Sequence, residues 1–330
     1  MSIVLPNYSA RDAAITQRPT STAIMAVDSE DRYKDYEVAR PVPLTVRELN
    51  ATPYDFTIQK NQPILNGAFS RLGVSEVCFQ YAIPNINAKT SQIGFIYRIG
   101  AGPAVPQIIT LTPGFYTPNR LASVLQTAVR ALNAVLAPFT MVYGQDENPV
   151  FAYNSNDPNV SVCWFPRTTP VPGVVIPTKT EKQLFDVLGF NDSNTILIAN
   201  ILYSGGPTFC QSTRYIDIVC SQLTAYQSVK DGCSQPISRD MMCRLYIASP
   251  ADPSTVSCSS PTFCPPGCAP FTIYRDFSQA KQIQWMPNAP MGGYLRFEVF
   301  DDNGTNLIEA DPFAGKTSIN WSMTILATEN

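Results

Sequence analysis

Histidine is absent from all 330 residues. That absence excludes Ser-His-Asp and Cys-His catalysis, histidine-ligated zinc and the usual near-neutral acid–base group. A P-loop, a GxGxxG after a strand and an HExxH are missing too, so no catalytic constellation and no cofactor signature is present and an enzyme is not expected. Charge of one sign is equally scarce. Lys and Arg number 23 against 26 Asp and Glu, a net charge of -3 with no basic cluster, so the electrostatic footprint of a nucleic-acid binder is lacking. No apolar run is long enough to span a bilayer, and no transmembrane segment is expected. Met1–Asn7 lacks the charged and apolar regions of a signal peptide, which predicts an intracellular protein. The sequons at Asn7, Asn50, Asn159, Asn191, Asn303 and Asn320 are then expected to go unused.

What is present is mostly β-structure around one clear helix. Ile108–Thr112 is β-branched, Pro113-Gly114 breaks it, and Thr117-Pro118 supplies an N-cap with proline at the first helical position. Leu121, Val124, Leu125, Ala128, Leu132 and Val135 then recur at three- and four-residue steps, predicting a helix over 117–136 with one apolar face. A second, short helix over 181–188 is stopped by Gly189. Strand-like runs occupy the rest: 54–60, 70–81, 94–99, 107–112, 140–143, 150–153, 160–165, 195–203, 214–223, 242–248, 271–275, 281–285, 293–300 and 318–327. Pro, Gly, Asn and Ser punctuate them at sandwich or barrel spacings, and the 29 prolines favour loops and edges over helix. No solenoid or propeller period appears. The expected fold is a β-sandwich with an α/β insertion.

Residues 1–48 read as a polar arm. Ser29–Glu37 mixes both charges, and Arg40-Pro41-Val42-Pro43 is held extended by its prolines. Two readings stand side by side: a disordered tail, or an arm that orders on a neighbouring subunit with Tyr33 and Tyr36 as anchors.

Tyr54–Ile58, Arg71–Val77 and the ending Ile83-Pro84-Asn85-Ile86-Asn87 resemble the first strands of capsid jelly rolls. The resemblance is to viruses with double-jelly-roll capsomers: virophages, Polinton-like viruses and nucleocytoplasmic large DNA viruses. Pro113-Gly114-Phe115-Tyr116 leading into Leu121–Asn133, and later Leu188-Gly189-Phe190, are similar to elements inside the penton and minor capsid proteins of that group. Arg214–Ile218, Gly293–Val299 and the turn Asp302-Asn303-Gly304 resemble its terminal strands. The similarity spans roughly 50–326 and lies in element order more than identity. The chain looks too short for the two jelly rolls of a major capsid protein.

The resemblance therefore implies a mainly β protein with a single jelly-roll β-sandwich, an α/β insertion and an extended N-terminal arm. The divisions read as arm 1–48, first part of the jelly roll 49–112, insertion 113–205 and second part 206–330. The implied function is structural: a penton forming the pentameric vertex of an icosahedral double-stranded DNA virus capsid, assembled in the host cytoplasm and located in the virion. Its partners would be itself, as a homopentamer, and the major and minor capsid proteins, with the insertion outward toward a fibre or host receptor. A minor cement or peripentonal protein and a receptor- or glycan-binding β-sandwich remain the alternatives.

Cys258, Cys264 and Cys268 form the densest thiol cluster, in a loop between strands. Free thiols, a disulfide formed as virions leave the reducing cytoplasm, and a zinc site completed by a distant cysteine are all open readings, although the spacing is not that of a CxxC pair. Nine cysteines leave at least one unpaired within a monomer. Cys78, Cys220 and Cys243 read as small core residues. Asp301-Asp302-Asn303-Gly304 reads as a hairpin turn, since the EF-hand spacing is absent. Arg214, Arg239 and Arg275 flank strands as solvated ends or contacts to an acidic neighbour, and Trp164, Trp285 and Trp321 are expected as core or interface anchors.

Overall fold

The computed structural model describes residues 22–34, 52–59, 63–64, 69–144, 149–167, 183–208, 210–225, 241–247, 270–277, 282–285, 293–311 and 319–329. Strands are numbered along the chain. β1 (Thr22–Asp28), β2 (Asp55–Gln59) and β3 (Phe69–Tyr81) come first, with a single helical turn α1 (Asp31–Lys34) after β1. Then follow β4 (Gln92–Ile99), β5 (Ala104–Thr110), helix α2 (Pro118–Leu132), β6 (Thr140–Tyr143), β7 (Phe151–Asn154) and β8 (Val160–Phe165). The short helix α3 (Leu184–Val187) leads to β9 (Ile198–Ala199) and β10 (Tyr203–Ser204). The chain ends with β11 (Tyr215–Val219), β12 (Met241–Tyr246), β13 (Phe271–Asp276), β14 (Gln282–Gln284), β15 (Tyr294–Phe300) and β16 (Trp321–Glu329).

Pairing separates these strands into two modules. One sheet runs β1-β16-β3-β13, with β14 also on β3, and a second runs β12-β11-β15-β2, every ladder antiparallel. Taking β13 and β14 as one interrupted strand, the sandwich has eight strands in the order 1-8-3-6 and 2-7-4-5. Successive strands thus alternate between the sheets except for the fourth and fifth, which pair with each other, and the path makes two Greek keys, the jelly-roll arrangement. The other module lies between the third and fourth of these strands. It contains a sheet β5-β4-β8-β9, a sheet β10-β7-β6 and α2.

The sandwich core follows from alternation along the strands. Leu72 and Val74 point inward from β3; then the register slips against β16, and Val77, Phe79 and Tyr81 continue the buried row. Ser75 sits at that slip, and its hydroxyl donates to the Thr324 carbonyl at 3.2 Å, so the bulge re-phases a strand too long and twisted to stay in step. Phe56, Phe79 and Phe297 surround Trp321 with ring centroids 5.5–6.3 Å away. The Trp321 indole N–H is satisfied by the Pro53 carbonyl at 2.6 Å.

The insertion has its own core. Thr117 caps α2, its hydroxyl accepting the Arg120 N–H at 3.3 Å, and Leu121, Ala122, Leu125 and Val129 form the buried stripe. Gln126 accepts the Met141 N–H (2.9 Å) and Arg130 donates to the Phe139 carbonyl (2.8 Å), fastening the helix to β6. Trp164 lies beneath, ringed by Phe95 (4.8 Å), Phe190 (5.8 Å) and Tyr153 (6.1 Å).

Several sequence expectations need correction. Residues 22–28, placed in the polar arm, are an edge strand of the sandwich: β1 pairs with β16 from Thr22↔Thr328 to Asp28↔Ser322, burying Met25 and Val27. Residues 1–21 and 35–51, Tyr36 among them, lie outside the described residues. The boundary at 113 falls inside the insertion, because β5 pairs with β4 and β4 with β8, and Ile93, Phe95 and Ile109 pack in its core. The helix ends at Leu132, and Ala134–Leu136 is a separate 3-10 turn capped by Asn133. The run 195–203, read as one strand, is a 3-10 turn (Asp192–Thr195) followed by the two-residue β9 and β10, broken by Asn200 in the left-handed region (φ 49°).

Candidate functional site

No group of three or more His, Cys, Asp or Glu side chains able to hold a metal ion occurs among the described residues. The fully buried thiols are poor nucleophiles as well. Burial pushes Cys163, Cys220 and Cys243 up to about 12, so they stay protonated at any ordinary pH. What the chain offers is surface.

The outer face of the second sheet carries a row of paired charges. Asp217 on β11 lies opposite Arg244 on β12, and the two form a bidentate pair at 2.7 and 3.0 Å. The Asp217 side chain is fully buried, and the Arg244 guanidinium lies 3.8 Å above the Tyr215 ring. Tyr215 in turn meets Tyr246 edge-on at 6.0 Å, leaving Tyr246 56% exposed at the sheet margin. Farther along, Arg296 on β15 makes a second fork to Asp55 on β2 (2.9 and 2.7 Å) and reaches Glu298 at 2.8 Å. The hydrogen bonds that Arg296 donates to Asp55 push its guanidinium further up, keeping it charged. Both forks are directed at the protein's own carboxylates, which suits a preset contact surface better than capture of phosphate.

The second surface is one end of the insertion's β4–β8–β9 sheet. β4 finishes at Ile99, opposite Val160 at the start of β8, and β9 finishes alongside at Ala199. Ser155 accepts the Asn200 N–H at 2.9 Å, fixing a loop that presents Ile201 and Leu202, 61% and 64% exposed.

The residues flagged by sequence scatter. Cys258, Cys264, Cys268 and Arg239 lie outside the described residues. Cys220 and Cys243 are buried in the sandwich core, and Cys78 is half-buried on β3. Arg214 pairs with Asp302 at 2.9 Å, while Arg275 is exposed on β13. Trp164 and Trp321 are core anchors, and Trp285 packs partly buried against the sandwich core. The Asp301–Gly304 segment is a tight turn with Gly304 at φ 85°. The Tyr215–Asp217–Arg244 row was missed. Its signal, alternating Tyr-x-Asp in one strand and Arg-x-Tyr in another, becomes meaningful only once the pairing is known.

The class these observations define is a jelly roll carrying one α/β insertion between its third and fourth strands. No family model and no curated protein matches the chain. Among solved structures, the selenomethionine-labelled mavirus penton protein is similar at a TM-score of 0.50 and 8% identity, covering 95% of this chain and 100% of that one. A chain of the Sputnik virophage particle, solved by cryo-electron microscopy, is similar at a TM-score of 0.40 and 12% identity, with 94% and 98% covered. The fold is thus shared with the mavirus penton protein over 95% of this chain.

Proposed function

We propose that this chain is a structural capsid protein, the penton that closes the fivefold vertices of an icosahedral double-stranded DNA virus capsid. The observation that carries the reading is the whole-length likeness to the mavirus penton protein, insertion included, with neither chain left substantially uncovered. The jelly roll supports it physically: two packed sheets leave few open edges and gather their loops at the ends, where neighbours meet. Head-to-tail contacts between unlike faces close a ring when the rotation per subunit fits, and the ordered Tyr–Arg face of the second sheet has the composition enriched in protein interfaces. The partners on this reading are four further copies of the chain and the surrounding major and minor capsid proteins. The insertion points outward, available to a fibre or a host receptor. The working step is assembly in the infected cell, without turnover of a substrate.

The native mass of the purified protein tests this, by light scattering or mass photometry. A species of five times the 36.3 kDa chain mass is expected. A stable trimer would overturn the vertex role and point to a capsomer or spike, and extended monomers found beneath capsomers in particles would make the chain a cement protein.

A further inference from the structure

Among the described residues, the sandwich core and the insertion core are separate clusters. Ile83 belongs to the sandwich and Ile86, three positions on, to the insertion; on the return, Cys210 belongs to the insertion and Ile216 to the sandwich. Polar groups hold the two crossings. Asn85 is buried, donates to the carbonyls of Tyr116 (2.8 Å) and Cys210 (3.1 Å), and accepts the Tyr116 N–H (2.9 Å). These three bonds all run to the insertion. Others reach across to the sandwich: Tyr81 on β3 hydrogen-bonds Ser212 and Thr213, Gln211 donates to the Ile247 carbonyl just past β12 at 2.8 Å, and Lys89 lies 3.8 Å from Asp301.

Asp301 sits in the turn after β15, where its other oxygen accepts the N–H groups of Asn303 (2.9 Å) and Thr305 (2.8 Å). The Lys89 and Asp301 side chains are 16% and 5% exposed. Beside them Asp302 takes the Arg214 guanidinium, at the residue where the returning chain joins β11. One turn of the sandwich therefore grips both crossings.

We infer that this junction is a hinge and the Asp301–Asp302 turn its clasp, so that the insertion swings as a unit about 84–86 and 210–213 when the Lys89–Asp301 pair opens. A polar interface between modules with separate cores exposes little apolar surface on moving, which makes relative motion the default. Burial also pushes the Asp301 carboxyl above its usual range despite Lys89, so the closed clasp holds an ionised Asp301 against a cost that hydration on opening relieves. The inference concerns the chain itself and does not depend on the ring.

Hydrogen exchange on the full-length protein decides it. Lys89→Met keeps the aliphatic stem and removes the charge, leaving Asp301 without its lysine. Exchange at the amides of 85–91 and 210–214 is expected to rise about tenfold, a value between those of exposed and buried pairs, while β4, β8, β15 and β16 keep their protection. Lys89→Gln should behave like Lys89→Met, and Lys89→Arg should restore the parent rates. Unchanged exchange at the crossings in both neutral variants would overturn the clasp. An equal rise in β4 and β15 would overturn the hinge, since the pair would then be stabilising the whole fold.

Discussion

At the scale of single residues, the buried thiols carry a pH dependence whose sign is fixed by burial. Cys163, Cys220 and Cys243 are held protonated up to about 12, whereas an unfolded cysteine ionises near about 8.5. The folded chain therefore keeps protons that the unfolded chain releases. This contribution is fully present below about pH 8.5 and is lost progressively as the pH climbs toward 12. Urea midpoints should fall between pH 8 and pH 10, and the fall should be shallower in Cys243→Ala once its lower baseline is subtracted. An equally steep fall in that variant would contradict the assignment. The core role of Cys220 and Cys243 was legible because each stands in an apolar run. The roles of Asn85, Lys89 and Asp301 were not, because a polar residue at a strand end looks the same whether it faces solvent or another part of the chain.

Elements were legible where the signal is local and hidden where it is not. The apolar stripe and Thr-Pro start of α2 specify the helix within the segment itself. β1 carries only Met25 and Val27 as buried large residues, and its existence rests on β16, almost three hundred residues away. The stop after α3 belongs to the local class. Gly189 adopts φ 71°, its carbonyl accepts the Gly206 N–H at 2.7 Å, and a Cβ there would run into the Gly206 carbonyl oxygen. Backbone strain and the collision act together in Gly189→Ala, which should cost about 2 kcal/mol or more. A midpoint within experimental error of the parent would show that the two glycine segments are not so closely engaged.

For the whole molecule, β-sandwich with insertion was readable from element order, but the division between modules was not. β4 and β5 have the same local pattern as sandwich strands, and only the pairing of β4 with β8, and of β5 with β4, assigns them to the insertion. Separate cores imply separable unfolding. Leu125→Ala, at a fully buried site on α2, should destabilise by about 3 kcal/mol and lower only the insertion's transition, while Phe297→Ala should lower only the sandwich's. Calorimetry on both variants checks this; a single transition shifted equally by either change would mean the modules unfold together.

The pairing of β1 with β16 has a mechanical consequence. Thr22 lies opposite Thr328, so the outer ends of the two strands sit together at one end of an antiparallel ladder. Tension applied between Thr22 and Glu329 would peel that ladder open one hydrogen bond at a time, which is the weak direction of a sheet. Pulling instead along β3, clamped between β16 on one side and β13 and β14 on the other, would load many hydrogen bonds in shear at once. A load on this chain is therefore borne best when it enters through the middle strands and the outer strand ends stay slack.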